Sequence, residues 1–252
     1  LEDLVGAKLL HHKGKVLELT PQGHALIGYA REMLRLNDRA VANLHEAQFM
    51  GTLRVGLPTD YAIGYFQRII ADFARANPEV TFDIRCDWSR NILSQLHVDE
   101  LDLAIAITDT MPAPYVSLYW SERPFWVCGR DYQFSLDKPV QIIAHPKGCF
   151  YRKRMIDALN TEGREWRICF ESPGITAVQN AVLDGMGVTA LTKKTLLPGM
   201  RVLSPKEGFP PLANLHVGLF YKHIKASDAA LKLIEQITEG VSAFRKPTHA
   251  RS

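Results

Sequence analysis

A two-lobed α/β fold is predicted by this sequence, and three features carry the prediction. Strand-like and helix-like segments alternate from residue 52 onward, at lengths suited to parallel βαβ units. One strand, 101–107 (LDLAIAI), is almost wholly apolar, as a strand covered on both faces should be. The alternation restarts after Gly129 as a second unit, and a late strand, 215–221, returns to the first.

In order, the first unit reads as strand 52–57, helix 62–76, strand 80–87, helix 91–100 and strand 101–107. Asn77-Pro78 ends the first of these helices, because the residue before a proline is pushed out of the α region. Ligands of such sheets bind beyond the carboxyl ends of the strands. That rule selects Pro58, Thr59, Asp60 and Tyr61, then Trp88, Ser89 and Arg90, then Thr108. The second unit follows a strand-like segment at 124–129. It comprises strand 141–144, helix 150–159, strand 166–171, helix 175–185 and strand 188–191, and a helix at 227–244 closes the first unit. Lobe I is then 51–130 with 214–246, and lobe II is 131–213, with a cleft where two segments cross.

Ahead of these lobes stands a long helix. Thr20-Pro21 opens it, since a threonine hydroxyl can accept an orphan backbone N–H and proline is pre-set for the first helical residue. From Pro21 to about Gln48 it would measure roughly 42 Å. Leu26, Ala30, Met33, Asn37, Ala40 and Leu44 fall on a heptad seam flanked by Ile27, Leu34 and Val41. An amphipathic helix covering its own domain would show the same pattern; the length favours dimerisation, with Asn37 setting the register.

Bulk properties exclude several classes. The 252 residues carry a formal net charge of +3, and acidic residues balance basic ones across residues 1–50, so no basic patch announces nucleic acid there. Cys86, Cys128, Cys149 and Cys169 form no C-x-x-C pair, which suits a reducing compartment. No apolar run reaches membrane-spanning length and the acidic start is no signal peptide, so the chain reads as soluble and cytoplasmic. His11 and His12 are adjacent on a strand and point to opposite faces, which argues against a metal site. Nucleophile-elbow, zinc-protease, P-loop and dinucleotide motifs are all missing; the expectation is a binding protein with no catalytic residues, cofactor or metal.

Residues 1–19 read as a helix end stopping at Gly6, a strand 8–12, a turn 13–15 and a strand 16–19, the outline of a winged helix-turn-helix whose first helices are absent. The runs LEDLVGAKLL, VLELTPQGHALIGYAREML and GTLRVGLP resemble the end of the recognition helix, the wing with linker helix, and the first effector-domain strand of the LysR-type transcriptional regulators. The resemblance extends through almost the whole chain. It implies a remnant of the DNA-binding domain at 1–20, a linker helix at 21–50 and a two-lobed effector domain at 51–252, similar to type 2 periplasmic binding proteins. It also implies three partners: DNA, a small-molecule effector, and a second copy in a homodimer or homotetramer. The DNA-facing positions would be His12, Lys13, Lys15 and Thr20, although the two lysines suit a solvated turn equally. Where the family has Phe-x-Arg, this chain has Leu10-His11-His12, so a phosphate contact at His12 would be weaker and pH-dependent.

The resemblance also suggests effector contacts. Thr59 and Ser89 match positions where the family often carries a hydroxyl, though both residue types also cap helices. Asp60 would repel a carboxylate effector unless Arg90 neutralises it, which leaves room for neutral or amino-bearing ligands. On the second lobe, Gly148, Cys149 and Phe150 start a helix whose N–H groups are free, and Cys149 is either a reactive thiol or a small buried residue. Lys147, Arg152, Lys153 and Arg154 read as a solvated basic face. Ser172 and Thr176 belong to a run resembling the loop that closes on the effector, and Gly185-Met186-Gly187 resembles the family's Gly-x-Gly, where glycines permit positive φ. The rival reading is a solute-binding or ligand-sensing protein of the same core without DNA binding, which would begin with an export signal.

Overall fold

The computed structural model describes residues 1–13, 16–44, 51–62, 65–109, 115–135, 137–222 and 226–245. The chain forms two compact units, Leu1–Gln48 and Phe49–Ser252.

In the first unit, α1 (Glu2–Val5) ends at Gly6, whose φ of 68° is the left-handed cap that glycine adopts without penalty. The Glu2 carboxylate turns back to accept the backbone N–H groups of Leu9 (2.7 Å) and Leu10 (3.2 Å) and the Lys8 ammonium (2.9 Å). These donors pull its pKa down to about 2, the Lys8 hydrogen bond contributing most. Strands β1 (Leu10–Lys13) and β2 (Val16–Leu19) form an antiparallel hairpin, and α2 (Pro21–Leu44) follows it. Thr20 Oγ1 accepts the Gly23 N–H at 3.0 Å, which is the predicted cap, and donates to Lys8 O at 2.6 Å. Lys15 and the hairpin tip lie outside the described residues, as does any continuation of α2 past Leu44. A DNA role for Thr20 has to contend with a hydroxyl already engaged on both sides. Along α2, Leu26 and Ala30 are half-buried while Met33 and Asn37 are exposed.

The second unit holds both lobes. The first lobe is a five-stranded sheet of order β4-β3-β5-β12-β6, from β3 (Gly51–Leu57), β4 (Val80–Cys86), β5 (Leu103–Thr108), β6 (Val116–Glu122) and β12 (Leu215–Tyr221). β3 runs parallel to β4 and β5, and β12 runs antiparallel to β5 and β6. Residues 103–107 are all buried, as their apolar run requires. β3 is locked to the turn ahead of β5 by Asp102, whose Oδ2 accepts the Arg54 backbone N–H at 2.8 Å and whose Oδ1 accepts the guanidinium at 2.6 Å. Helices α3 (Thr59–Ala62), α4 (Tyr65–Ala76), α5 (Ser89–His97) and α8 (Asp228–Arg245) cover the sheet. Their apolar faces bury Phe66 and Phe73 from α4, and Leu233, Ile237 and Val241 from α8.

The second lobe joins two small sheets. β8 (Val140–Ala144) pairs in parallel with β9 (Trp166–Glu171), while β7 (Phe125–Gly129) lies between β10 (Thr189–Leu191) and β11 (Met200–Val202), antiparallel to both. Ile143 N–H to Val188 O (2.8 Å) and Val188 N–H to Gln141 O (2.9 Å) stitch β8 to the entry of β10. Helices α6 (Phe150–Thr161) and α7 (Ile175–Leu183) complete this lobe. No helix among the described residues is long and apolar enough to cross a membrane.

Three expectations need correction. Residues 125–129 belong to the second lobe, because β7 finds both its hydrogen-bond partners there, so the crossing lies near Pro124 rather than at 130. The 62–76 helix begins earlier, as a separate short helix at Thr59 whose first turn closes on Pro58 O. Of the Gly-x-Gly pair, only Gly185 needs positive φ (72°). Gly187 is required by close approach instead: a Cβ there would strike Gln141 O and stand 3.1 Å from Cys169 Sγ. Gly187→Ala should therefore destabilise the fold by about 1–3 kcal/mol, read as a lower urea midpoint at unchanged slope.

Candidate functional site

The cleft is built from strand ends on one side and helix starts on the other. β3 delivers Pro58, Thr59 and Asp60, β4 delivers Cys86, Asp87 and Trp88, and β5 delivers Ile107, Thr108 and Asp109. From the second lobe come His145, Lys147 and Gly148 after β8, then Cys149, Phe150 and Tyr151 at the start of α6, with Pro173 and Ile175 at the start of α7. Together with Ser89, Arg90, Asn91 and Leu93 they enclose a cavity of about 600 Å³, within the range of small-molecule sites.

Local chemistry holds each wall in place. Asp87 Oδ1 accepts the Trp88 N–H at 2.6 Å and the Asn91 side-chain amide at 3.0 Å, fixing the turn into α5. Ser89 is buried, and its Oγ accepts the Ile107 N–H at 2.9 Å instead of capping its own helix. It pins α5 to β5. His145 Nδ1 lies 2.9 Å from Ser172 O; a carbonyl only accepts, so Nδ1 carries the proton. Burial lowers the His145 pKa, and the ring stays neutral at physiological pH. The His145 and Trp88 rings meet nearly at right angles across the cleft, with centroids 6.3 Å apart.

Asp60 lies at the contact between lobes. Its Oδ2 accepts the Tyr151 hydroxyl at 2.7 Å. Desolvation outweighs that hydrogen bond and, helped by the neighbouring charge of Glu122, raises the carboxyl pKa to about 6. Glu122 in turn accepts from Tyr61 (3.2 Å), Trp120 (3.0 Å) and Lys194 (3.1 Å), the last reaching over from the second lobe. Arg154 on α6 makes another inter-lobe link, to Asp109 at 3.4 Å.

Eight expected contact residues line the cavity: Pro58, Thr59, Asp60, Ser89, Arg90, Thr108, Cys149 and Phe150. Tyr61, Ser172 and Thr176 do not. Tyr61 turns inward against Phe66 and gives its hydroxyl to Glu122. The Ser172 Oγ folds over the Gly174 N–H at 3.2 Å, and Thr176 is exposed, one position past Ile175, which faces inward. Burial raises the Cys149 thiol to about 11, which resolves its two readings in favour of the small buried residue. The basic face is also only partly solvated. Lys153 is exposed, but Arg152 donates to His145 O at 3.0 Å and pairs with Glu171, and Arg154 is held by Asp109. His145 and Tyr151 had no signal in the sequence, because each acts across the cleft on a residue at least 57 positions away in lobe I: His145 on Trp88, Tyr151 on Asp60.

The description "LysR substrate binding domain" fits residues 46–242 of this chain. The chain belongs to the LysR family. Its curated relatives include the HTH-type transcriptional regulator PecT of Dickeya dadantii, 30% identical over 85% of this chain and 67% of PecT. DgdR of Burkholderia cepacia, another HTH-type transcriptional regulator, is 24% identical over 94% of this chain and 80% of DgdR. Among solved structures, CrgA, a LysR-type transcriptional regulator from Neisseria meningitidis, superposes with a TM-score of 0.65 at 15% identity, covering 97% of this chain and 86% of CrgA. As a LysR-family transcriptional regulator, the chain has the expected two-lobed architecture.

The raised Asp60 pKa has a measurable consequence. The unfolded carboxyl titrates near 3.8 and the folded one near 6, so the folded state holds the proton more tightly and stability falls as pH rises through that window. Asp60→Asn should be more stable than the parent above pH 7 by about 1–3 kcal/mol, with the gain vanishing below pH 4. Thermal melts at pH 4 and pH 8 check this.

Proposed function

We propose that the inter-lobe cavity is the effector site of this regulator, and that its occupancy sets the arrangement of the lobes. The observation that carries this reading is the convergence of three strand ends and two helix starts on one cavity of about 600 Å³. The walls come from both lobes, so a ligand there contacts each lobe and favours whichever arrangement it fits better. Thr59, Ser89 and Thr108 offer polar contacts, while Trp88 and Phe150 offer apolar faces. The same residues support binding rather than catalysis, and the regulator's place of action is the cytoplasm. Lys13 and His12 on the hairpin are the DNA-backbone contacts of this reading.

A paired substitution in the cavity separates sensing from fold. Native mass spectrometry of the regulator should show a bound small molecule that Thr59→Val combined with Trp88→Ala removes, while operator binding in gel shifts stays within about two-fold. Retention of the same bound mass by the double variant would overturn the site.

The exposed Tyr29, Met33, Leu34 and Leu36 on α2 favour self-association through this helix. The seam that includes Leu26, Ala30, Met33, Asn37, Ala40 and Leu44 is the proposed contact. Sedimentation should show a dimer or larger species across micromolar concentrations, and Met33→Glu should shift it toward monomer.

A further inference from the structure

We infer that the cleft selects a small organic cation, a protonated amine whose nitrogen sits against the carboxylate of Asp60 with its carbon skeleton between Trp88 and Phe150. The inference rests on the reading of the cavity as the effector site. Its ground is the distribution of partners around the cleft. Three cationic side chains of the second lobe near the cleft are already matched, Lys194 with Glu122, Arg152 with Glu171 and Arg154 with Asp109, which leaves Lys147 as the second-lobe cation of the cavity wall. Among the described residues, no ion pair includes Asp60 or Asp87, the other two acids of the cavity wall. Asp60 has a neutral partner instead, the Tyr151 hydroxyl at 2.7 Å, and the charge acting on it is a second carboxylate, Glu122. A desolvated carboxylate facing a neutral donor and a like charge gains most from an incoming cation.

The remaining wall agrees with this choice. His145 is held neutral by burial and so adds no positive charge to the cavity wall. Arg90 and Lys147 are exposed, where water screens them. Trp88 and Phe150 provide aromatic surface suited to an alkylammonium or arylalkylamine. The contrary feature is the pair of helix starts, α6 and α7, whose free N–H groups favour anions. An acidic ligand would have to bring its charge into the same cavity as the unpaired Asp60, and this decides between the two classes.

Three probe sets test the class: benzylamine, phenethylamine and hexylamine, each beside its alcohol and its carboxylate of matched length. Binding is followed by saturation-transfer NMR and by the Trp88 indole resonance of the 252-residue chain. The amines should bind at least ten-fold more tightly than their partners. Asp60→Asn should weaken them by about ten- to hundred-fold, the worth of one charge-assisted contact, and should narrow the gap to the carboxylates. Amine affinity should also fall as pH drops through about 6, where Asp60 takes up its proton. The groups facing Asp60 are Tyr61, Glu122, Cys149 and Tyr151; burial pushes the tyrosines and the thiol well above that range, and Glu122 is bridged by Lys194.

Tighter binding of the carboxylates, or amine affinity unmoved by Asp60→Asn, overturns the class. If the carboxylates shift the Trp88 indole and the amines do not, the cleft stands as the ligand site and only the cation is wrong. If every bound probe leaves the Trp88 indole unmoved, both the class and the site fall.

Discussion

The hydrogen bond from Tyr151 to Asp60 is the contact on which the geometry of the cleft depends. It joins the end of the first strand of one lobe to the first helix of the other, at the floor of the cavity. Its acceptor is a carboxylate removed from water, so the bond is strong while it lasts and costly to leave unmade. Two further links, Lys194 to Glu122 and Arg154 to Asp109, span the same divide. All three tie a lobe I acid to a second-lobe donor. Of these six partners, Asp60, Tyr151 and Asp109 line the cavity itself, so the links between the lobes begin at its wall.

What makes such a floor possible is the topology of the sheets. β3, β4 and β5 are parallel, so their carboxyl ends emerge on one edge and deliver Asp60, Trp88 and Thr108 together. β12 returns antiparallel beside β5 and closes the first sheet after the second lobe has been made. The chain thus crosses between lobes twice, near Pro124 and again just ahead of Leu215, and the cavity lies where the lobes face each other. Rigid walls follow from local bonds. Ser89 fastens α5 to β5, Asp87 shapes the turn before it, and His145 is fixed by the carbonyl of Ser172.

Asp60 also shows how the cavity wall differs from the core. A buried carboxylate raised to about 6 lowers stability at neutral pH, and asparagine of nearly the same shape would remove that penalty. Proteins keep such groups where binding requires them. The surrounding core needs no such sacrifice: Phe66, Phe73, Leu103, Leu219 and Leu233 are fully buried and apolar.

Much of this was legible in the residues themselves. Thr20-Pro21 announced the start of α2, the apolar run at 101–107 announced a central strand, and strand-end position alone drew attention to Pro58, Thr59, Asp60, Ser89, Arg90 and Thr108. Their placement was legible because caps, periodicity and strand termini depend on neighbours within a few positions. Sequence left three things undecided or misplaced. Strand 125–129 was assigned to the wrong lobe, because its partners β10 and β11 lie over sixty residues away. Tyr61 was drawn into the site by strand-end position, and Ser172 and Thr176 by resemblance to a family loop, although their side chains point to Glu122, to Gly174 and to solvent. The partners of Asp60 were the third. Tyr151 is separated from it by 91 residues, and only the packing of one lobe on the other removes the water that would otherwise hold that carboxyl at its ordinary pKa. Sequence determined which groups stand at the strand ends, because pattern and capping are local; the tertiary structure decided what faces them and how dry they are, because desolvation is a property of the surroundings.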